Sequence, residues 1–175
     1  MIEANSEEAT VAKVFEGTFS ADIEGDFVVF LIGMRFNSPW RVDKWLPVAS
    51  AMPKMLKVLD QHPELGCLGY QSWMGRTSLM VQYWRDFESL NRFARDRELP
   101  HLEPWRRFNR AVGASRHVGI WHETYQVRAG EYEVIYGNMP VFGLAAASAH
   151  VPIAKRGQSA AGRLGGADEP ALDVY

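Results

Sequence analysis

Residues 27–36 read FVVFLIGMRF, a run that is apolar at both odd and even positions until Arg35. A strand with one face in water alternates apolar and polar residues, whereas a strand apolar at every position is covered on both sides. This segment therefore calls for helices against one face of its sheet and a second layer against the other.

Downstream, Asn37-Ser38-Pro39 ends the strand, and from Asp43 the apolar positions Trp45, Val48, Ala49, Met52, Leu56 and Leu59 recur at helical spacing. Asp43 reads as the N-cap and Pro47 sits in the first turn, where its missing N–H costs nothing; Pro53 predicts a kink or a division near Met52. Residues 67–74 and 77–85 follow as a hairpin around Gly75-Arg76, a pair suited to a type II′ turn. Pairing Met74 with Thr77 puts Leu68, Tyr70, Leu79, Val81 and Tyr83 on one face and Cys67, Gln71, Trp73, Met80, Gln82 and Trp84 on the other.

Asp86 is a clear N-cap for a helix through Phe87, Leu90, Phe93 and Ala94. In PHLEPWRRFNRAVG, residues 100–113, His101, Trp105, Phe108, Asn109 and Val112 share one helical face, with Gly113 as the C-cap. Residues 116–140, RHVGIWHETYQVRAGEYEVIYGNMP, then hold two strand-like runs joined at residues 128–130, the second over 132–138. In the first run His117, Trp121, Glu123 and Tyr125 fall on one face, and Val118, Ile120 and His122 on the other.

The order is strand, helix, strand, strand, helix, strand, plus one extra strand. That is an α+β chain built on a ferredoxin-like βαββαβ sheet. Residues 1–20 read as an N-terminal arm, in which 11–20 alternates weakly enough to be either a short edge strand or an extended lead-in; residues 21–151 form the domain. Residues 152–175, where Ala, Gly and Ser dominate, read as a flexible tail without a core of its own. A lone sheet of this kind bares one face, yet these strands are apolar on both, so the patterning predicts a homodimer with two sheets packed face to face, or else a long tail folded back over the sheet.

The totals bound the function. At 175 residues there is room for one domain, and a formal net charge of -2 gives no long-range attraction to nucleic acid or an anionic membrane. The arginines between Arg92 and Arg110 alternate with Asp96, Glu98 and Glu103, the pattern of a solvated helix face. The single cysteine, Cys67, fits a reducing compartment. The acidic, polar start lacks the features of a secretory signal, and the apolar run over residues 27–34 falls short of the roughly 20 residues that span a bilayer, so the expected location is cytoplasmic. Gly-rich phosphate loops, nucleophile elbows and metal-ligand spacings are absent from the sequence, which removes support for ATP hydrolysis, serine hydrolysis and a protein-ligated metal.

Several polar groups interrupt apolar runs. Glu123 is either a carboxylate satisfied at the sheet end or an acid–base group in an apolar pocket. His101, beside Trp105, is either a core histidine donating to a carbonyl or a general base. His122, between Ile120 and Thr124, reads as a core histidine with a catalytic alternative. Arg35 needs a partner, which the pattern supplies in Glu123 or in an anionic substrate. Trp45, Tyr83, Trp121 and Tyr125 are core, dimer contact or cavity wall.

With WRVDKWLP, GRTSLMVQYW, PHLEPW, GIWHETY and YEVIYGNMP in hand, the chain over residues 27–151 resembles the bacterial and fungal family similar to the fumagillin-pathway monooxygenase, within the dimeric α+β barrel superfamily. The resemblance implies oxygenation of a hydrophobic or aromatic small molecule without metal or flavin: a substrate is deprotonated and its anion reacts with O2. In that reading His101, Glu123 or His122 acts as catalytic group, while Arg35, Trp45, Tyr83, Trp105, Asn109, Trp121 and Tyr125 bind or position the substrate. The superfamily supports two alternatives: a haem enzyme of the aldoxime-dehydratase kind with His101 or His122 as axial ligand, and a non-enzymatic binder of a lipophilic small molecule.

Overall fold

The structure, a computed structural model, describes residues 12–95 and 116–170. A first strand, β1 (Phe15–Asp22), precedes FVVFLIGMRF, which forms β2 over Phe27–Phe36 as the sequence predicts. β2 lies inside a four-stranded sheet ordered β3 (Cys67–Trp73), β4 (Leu79–Trp84), β2 and β5 (Val118–Val127), every neighbouring pair antiparallel. This is the order expected of the split βαβ arrangement.

Strand alternation divides the sheet into two faces. Val28, Phe30, Ile32 and Met34 share one with Met80, Gln82 and Trp84 of β4 and with Ile120 and His122 of β5. Helices α1 (Val42–Ala49), α2 (Ala51–Gln61) and α3 (Phe87–Arg95) belong to this face. Its core joins Val28 and Trp84 to Leu59, Leu90 and Phe93, and burying each such aliphatic or phenyl side chain contributes about 1.5–3 kcal/mol. Trp84 is fully buried and its indole N–H donates to Gln82 Oε1 at 2.9 Å, so the one polar atom brought inside is satisfied.

The other face is covered at one end by the chain itself. A second antiparallel sheet, ordered β6 (Tyr136–Met139), β1, β7 (Ala149–Pro152), and a short helix α4 (Leu144–Ala147) bring Ala21, Tyr132, Tyr136, Leu144 and Ala145 together with Phe27, around which Val29, Tyr83 and Val127 pack. The remainder of that face, along β5, is open: Glu123 and Tyr125 are exposed. The two-sided apolar pattern of β2 thus has two different causes, helices on one face and a folded-back segment over part of the other.

Several local readings change. The division expected near Met52 is present and falls at Ser50, which places Pro53 in the first turn of α2, where its lack of an N–H is harmless, rather than deep in one helix. The N-cap of α1 is Arg41; Asp43 lies inside the first turn and holds Arg41 through paired contacts of 2.9 Å, which pull the exposed Asp43 carboxyl down to about 2. Asp86 does cap α3, its Oδ1 accepting from Ser89 N at 2.6 Å.

The hairpin register differs by one residue. Trp73 pairs with Leu79 and Tyr70 with Gln82, so Met74 and Thr77 are not partners, and Tyr70 shares a face with Met80 and Gln82 rather than with Tyr83. The cause is β2: Arg35 bridges Thr77, Phe36 N donates to Arg76 O at 2.8 Å and Ser78 N donates to Met34 O at 2.8 Å, so residues 76–78 extend the β4 side of the pairing with β2 instead of closing a two-residue turn.

The extra strand is β6, four residues against the seven expected, and it pairs with β1 outside the main sheet. The boundary expected at residue 20 falls within β1. Beyond β7, a 3-10 turn (Ile153–Lys155) leads to α5 (Ala160–Arg163), where the buried guanidinium of Arg163 is ion-paired with Glu133 and donates to Gly157 O and Gln158 O. The expected helix over 101–112 lies outside the described residues.

Candidate functional site

Between the helical face of the sheet and the α1–α2 pair lies a cavity of about 290 Å³, near the lower end of the range of about 300–1,000 Å³ for ligand sites. Ile32, Met34 and Met80 form its floor on the sheet, and Ile120 closes the β5 side. The helices contribute Val48, Ala49, Met52, Met55 and Leu56, an i, i+3, i+4 series that continues across the Ser50 break. Trp73 and Met74 stand where the β3–β4 hairpin reaches the cavity.

Five of the chain's seven methionines line this space. Thioethers on unbranched side chains adapt to irregular apolar ligands and make favourable contacts with aromatic rings. Two hydroxyls face the wall, those of Ser72 and Ser78, and the second is engaged: Ser78 Oγ accepts from Met34 N at 3.0 Å and donates to Met34 O at 3.3 Å. No ionisable side chain lines the cavity among the described residues. The arrangement suits an uncharged, largely apolar molecule, which such a wall could hold by shape and dispersion.

The residues singled out from sequence lie as follows. His101, Trp105 and Asn109 are outside the described residues. Glu123 and Tyr125 meet, the phenol donating to Glu123 Oε2 at 2.6 Å, on the exposed part of β5 and on the face opposite Ile120. Arg35 is not their partner. It lies opposite Gly119, while Glu123 lies opposite Leu31, a separation of about 13 Å along the strand, and its guanidinium donates to Thr77 Oγ1 at 2.7 Å.

Trp121 lies opposite Gly33 with its indole nitrogen buried and without a hydrogen-bond partner among the described residues. Tyr83 packs under the α4 segment with its hydroxyl beside Gly143, and burial, followed by the neighbouring Tyr136, pushes it up to about 12. Trp45 donates its indole N–H to Pro39 O at 2.9 Å and sets its ring edge-on against Phe36, one turn from the cavity-lining Val48 and Ala49. None of these six described residues lines the cavity.

The methionine wall was missed because each thioether, read in its own element, is an ordinary core residue. The available signal was that Met34, Met52, Met55 and Met80 stand on elements that must meet, with Met74 at the hairpin beside them.

A haem would need an axial ligand on this wall. His122 stands exposed on β5, packed against Phe30 with ring centroids 5.7 Å apart, and among the described residues the wall carries neither imidazole nor thiolate. The described wall does not fit a haem. Among the described residues no group of three or more His, Cys, Asp and Glu is placed to hold a metal ion, and no helix is long and apolar enough to cross a membrane.

Residues 27–144 match the family described as monooxygenase af470-like, and the chain belongs to that family. It is similar to monooxygenase af470 of Aspergillus fumigatus, 32% identical over 162 residues that cover 87% of this chain. The chain spans 58% of the length of that relative. Among solved structures it is similar to the aldoxime dehydratase OxdRE in complex with butyraldoxime, with a TM-score of 0.59 and 17% identity over 79% of this chain and 43% of that one. A second aldoxime dehydratase gives a TM-score of 0.55 and 18% identity over 79% of this chain and 46% of that one. These likenesses establish the fold, that of the dimeric α+β barrel type.

Proposed function

We propose that this member of the monooxygenase af470-like family binds a hydrophobic or aromatic small molecule in the methionine-walled cavity and oxidises it with O2, without a resident cofactor. The observation that carries the reading is the cavity itself: about 290 Å³, set between two helices and the sheet with a mouth beside Met74, and free of ionisable groups among the described residues. An apolar wall offers few hydrogen bonds to a substrate anion, which leaves the part of it held against the wall poorly solvated and reactive toward O2.

For a substrate with an activated methylene the reaction balances as CH2 + O2 giving C=O + H2O. The substrate supplies all four electrons, one oxygen atom enters the carbonyl and the other leaves as water. The step needs a base for the first proton. Of the candidates read from the sequence, Glu123 is on the opposite face from the cavity, and His122, although on the cavity's side of β5, is exposed against Phe30 and outside the lining, which favours His101, with Asn109 sharing its expected helical face as a positioning donor.

The open part of the other sheet face, with Tyr125 52% exposed beside Glu123, is assigned to a second copy of the chain. Light scattering of the purified protein checks this.

Oxygen uptake and 18O2 incorporation across a panel of phenols, quinols and terpenoids test the reaction. Single incorporation, lost in His101→Ala and retained in Glu123→Gln, supports the reading. Measurable ligand binding with no oxygen uptake sinks it in favour of a binding module, and a Soret band after haem addition, lost in one His→Ala variant, sinks it in favour of a haem enzyme.

A further inference from the structure

The five cavity methionines are graded by exposure. Met74, at the hairpin tip, is 77% exposed; Met52 and Met55, on α2, are half-buried; Met34 and Met80, in the floor, are 8% and 6% exposed. Met52 and Met55 are therefore both reachable from solvent and part of the wall that a ligand touches. Met74 is reachable but mostly in water, and the floor pair is sheltered.

A thioether reacts with peroxide by a two-electron transfer: sulfur attacks one peroxide oxygen, the O–O bond breaks, an S=O bond forms and water leaves. Sulfur is oxidised and the peroxide reduced, with no other reactant. The product is a strong hydrogen-bond acceptor. On the α2 wall it shares the cavity with Ile32, Leu56 and Met80; the lining side chains that can donate, Ser72, Trp73 and Ser78, belong to the sheet and its hairpin, and Ser78 is already engaged with Met34, so an oxygen among these thioethers and aliphatics makes the wall a poor surface for an apolar ligand.

We infer that Met52 and Met55 form a peroxide-sensitive modification site whose conversion to sulfoxides closes the cavity to apolar ligands. The inference uses the cavity but not turnover, so it stands whether or not the chain is an oxygenase. Met74 converts too, without the same effect, because its sulfoxide points into water.

The test treats the full chain with hydrogen peroxide, maps sulfoxides peptide by peptide, and measures binding of the neutral dye Nile red before and after. The expected result is conversion of Met52 and Met55 ahead of Met34 and Met80, with affinity falling at least about fivefold. On treatment Met74→Leu should lose affinity like the wild type, whereas Met52→Leu/Met55→Leu, whatever its untreated Kd, should change by less than about twofold, because leucine carries no sulfur to oxidise. Methionine sulfoxide reductases should restore the wild type. Circular dichroism confirms folding of each variant, and the two single Leu variants replace the double one if it does not fold.

Resistance of Met52 and Met55 while Met74 converts overturns the inference, as does unchanged affinity after their conversion, or equal loss in the double Leu variant. Failure of Nile red to bind the untreated protein overturns it together with the cavity's role in the proposed function. Absence of oxygen uptake with this binding pattern intact overturns only the latter.

Discussion

Across the β2–β5 pair, Trp121 lies opposite Gly33, and its indole nitrogen is 2.7 Å from where a β-carbon on Gly33 would stand. The same β-carbon would collide with the Ser78 carbonyl oxygen. Glycine at 33 is thus what lets the indole and the 76–78 segment close together on the central strand beside the cavity. Gly33→Ala should cost about 1–3 kcal/mol in urea unfolding. Adding Trp121→Phe should not recover the loss, because the collision with backbone remains; full recovery would show that the indole alone sets the constraint.

Filling the cavity should separate binding from folding. Ala49→Phe places a ring into the space between α1 and the sheet, and its Nile red Kd should rise by about tenfold or more, a change of roughly 1.4 kcal/mol, while circular dichroism stays that of the wild type. Unchanged affinity would place the dye elsewhere.

Alkaline pH should destabilise the fold through groups whose uncharged forms it favours. Burial pushes the Cys67 thiol from 9.0 up to about 11, and burial together with Tyr136 pushes Tyr83 from 10.0 up to about 12. A pKa raised in the folded state means stability that is complete below the unfolded value and lost as pH rises through the folded one. The urea midpoint should therefore hold to pH 9 and decline between pH 9 and 12, with a shallower decline above pH 10 in Tyr83→Phe. A midpoint that rises across this window would contradict the burial of both groups.

The ion pair between Arg163 and Glu133 offers a double-mutant measurement. Arg163 is 7% exposed, so Glu133→Ala leaves a cation buried without its counter-charge and should cost about 3 kcal/mol. Glu133→Ala/Arg163→Met should cost less than Glu133→Ala alone, because the charge goes with its partner. Equal losses in thermal unfolding would indicate that the cation rehydrates freely.

Much of the fold is legible residue by residue. The bounds of β2, the Asp86 cap and the split of His122 from Glu123 across β5 all follow from backbone geometry within one element, since alternation has period two and a cap acts within three residues. The hairpin turn illustrates the limit: Gly75-Arg76 suits a two-residue turn, but β2 captures residues 76–78 and moves the register by one. Local turn preference is worth less than three ladder contacts with a central strand.

The candidate site divides the same way. A mixture of imidazole, carboxylate and aromatic side chains on residues 117–125 is visible in sequence and draws attention to β5, yet the cavity lies on the other side of Ile120, walled by thioethers that no single element marks as special. By itself the sequence determined the strand and helix types, the sheet order and the family resemblance, because these depend on periodicities and short motifs carried along the chain. Which face is covered by the chain's own 132–147 segment, where the hairpin closes, and where five methionines converge were decided only by tertiary structure, because each depends on contacts between residues far apart in sequence.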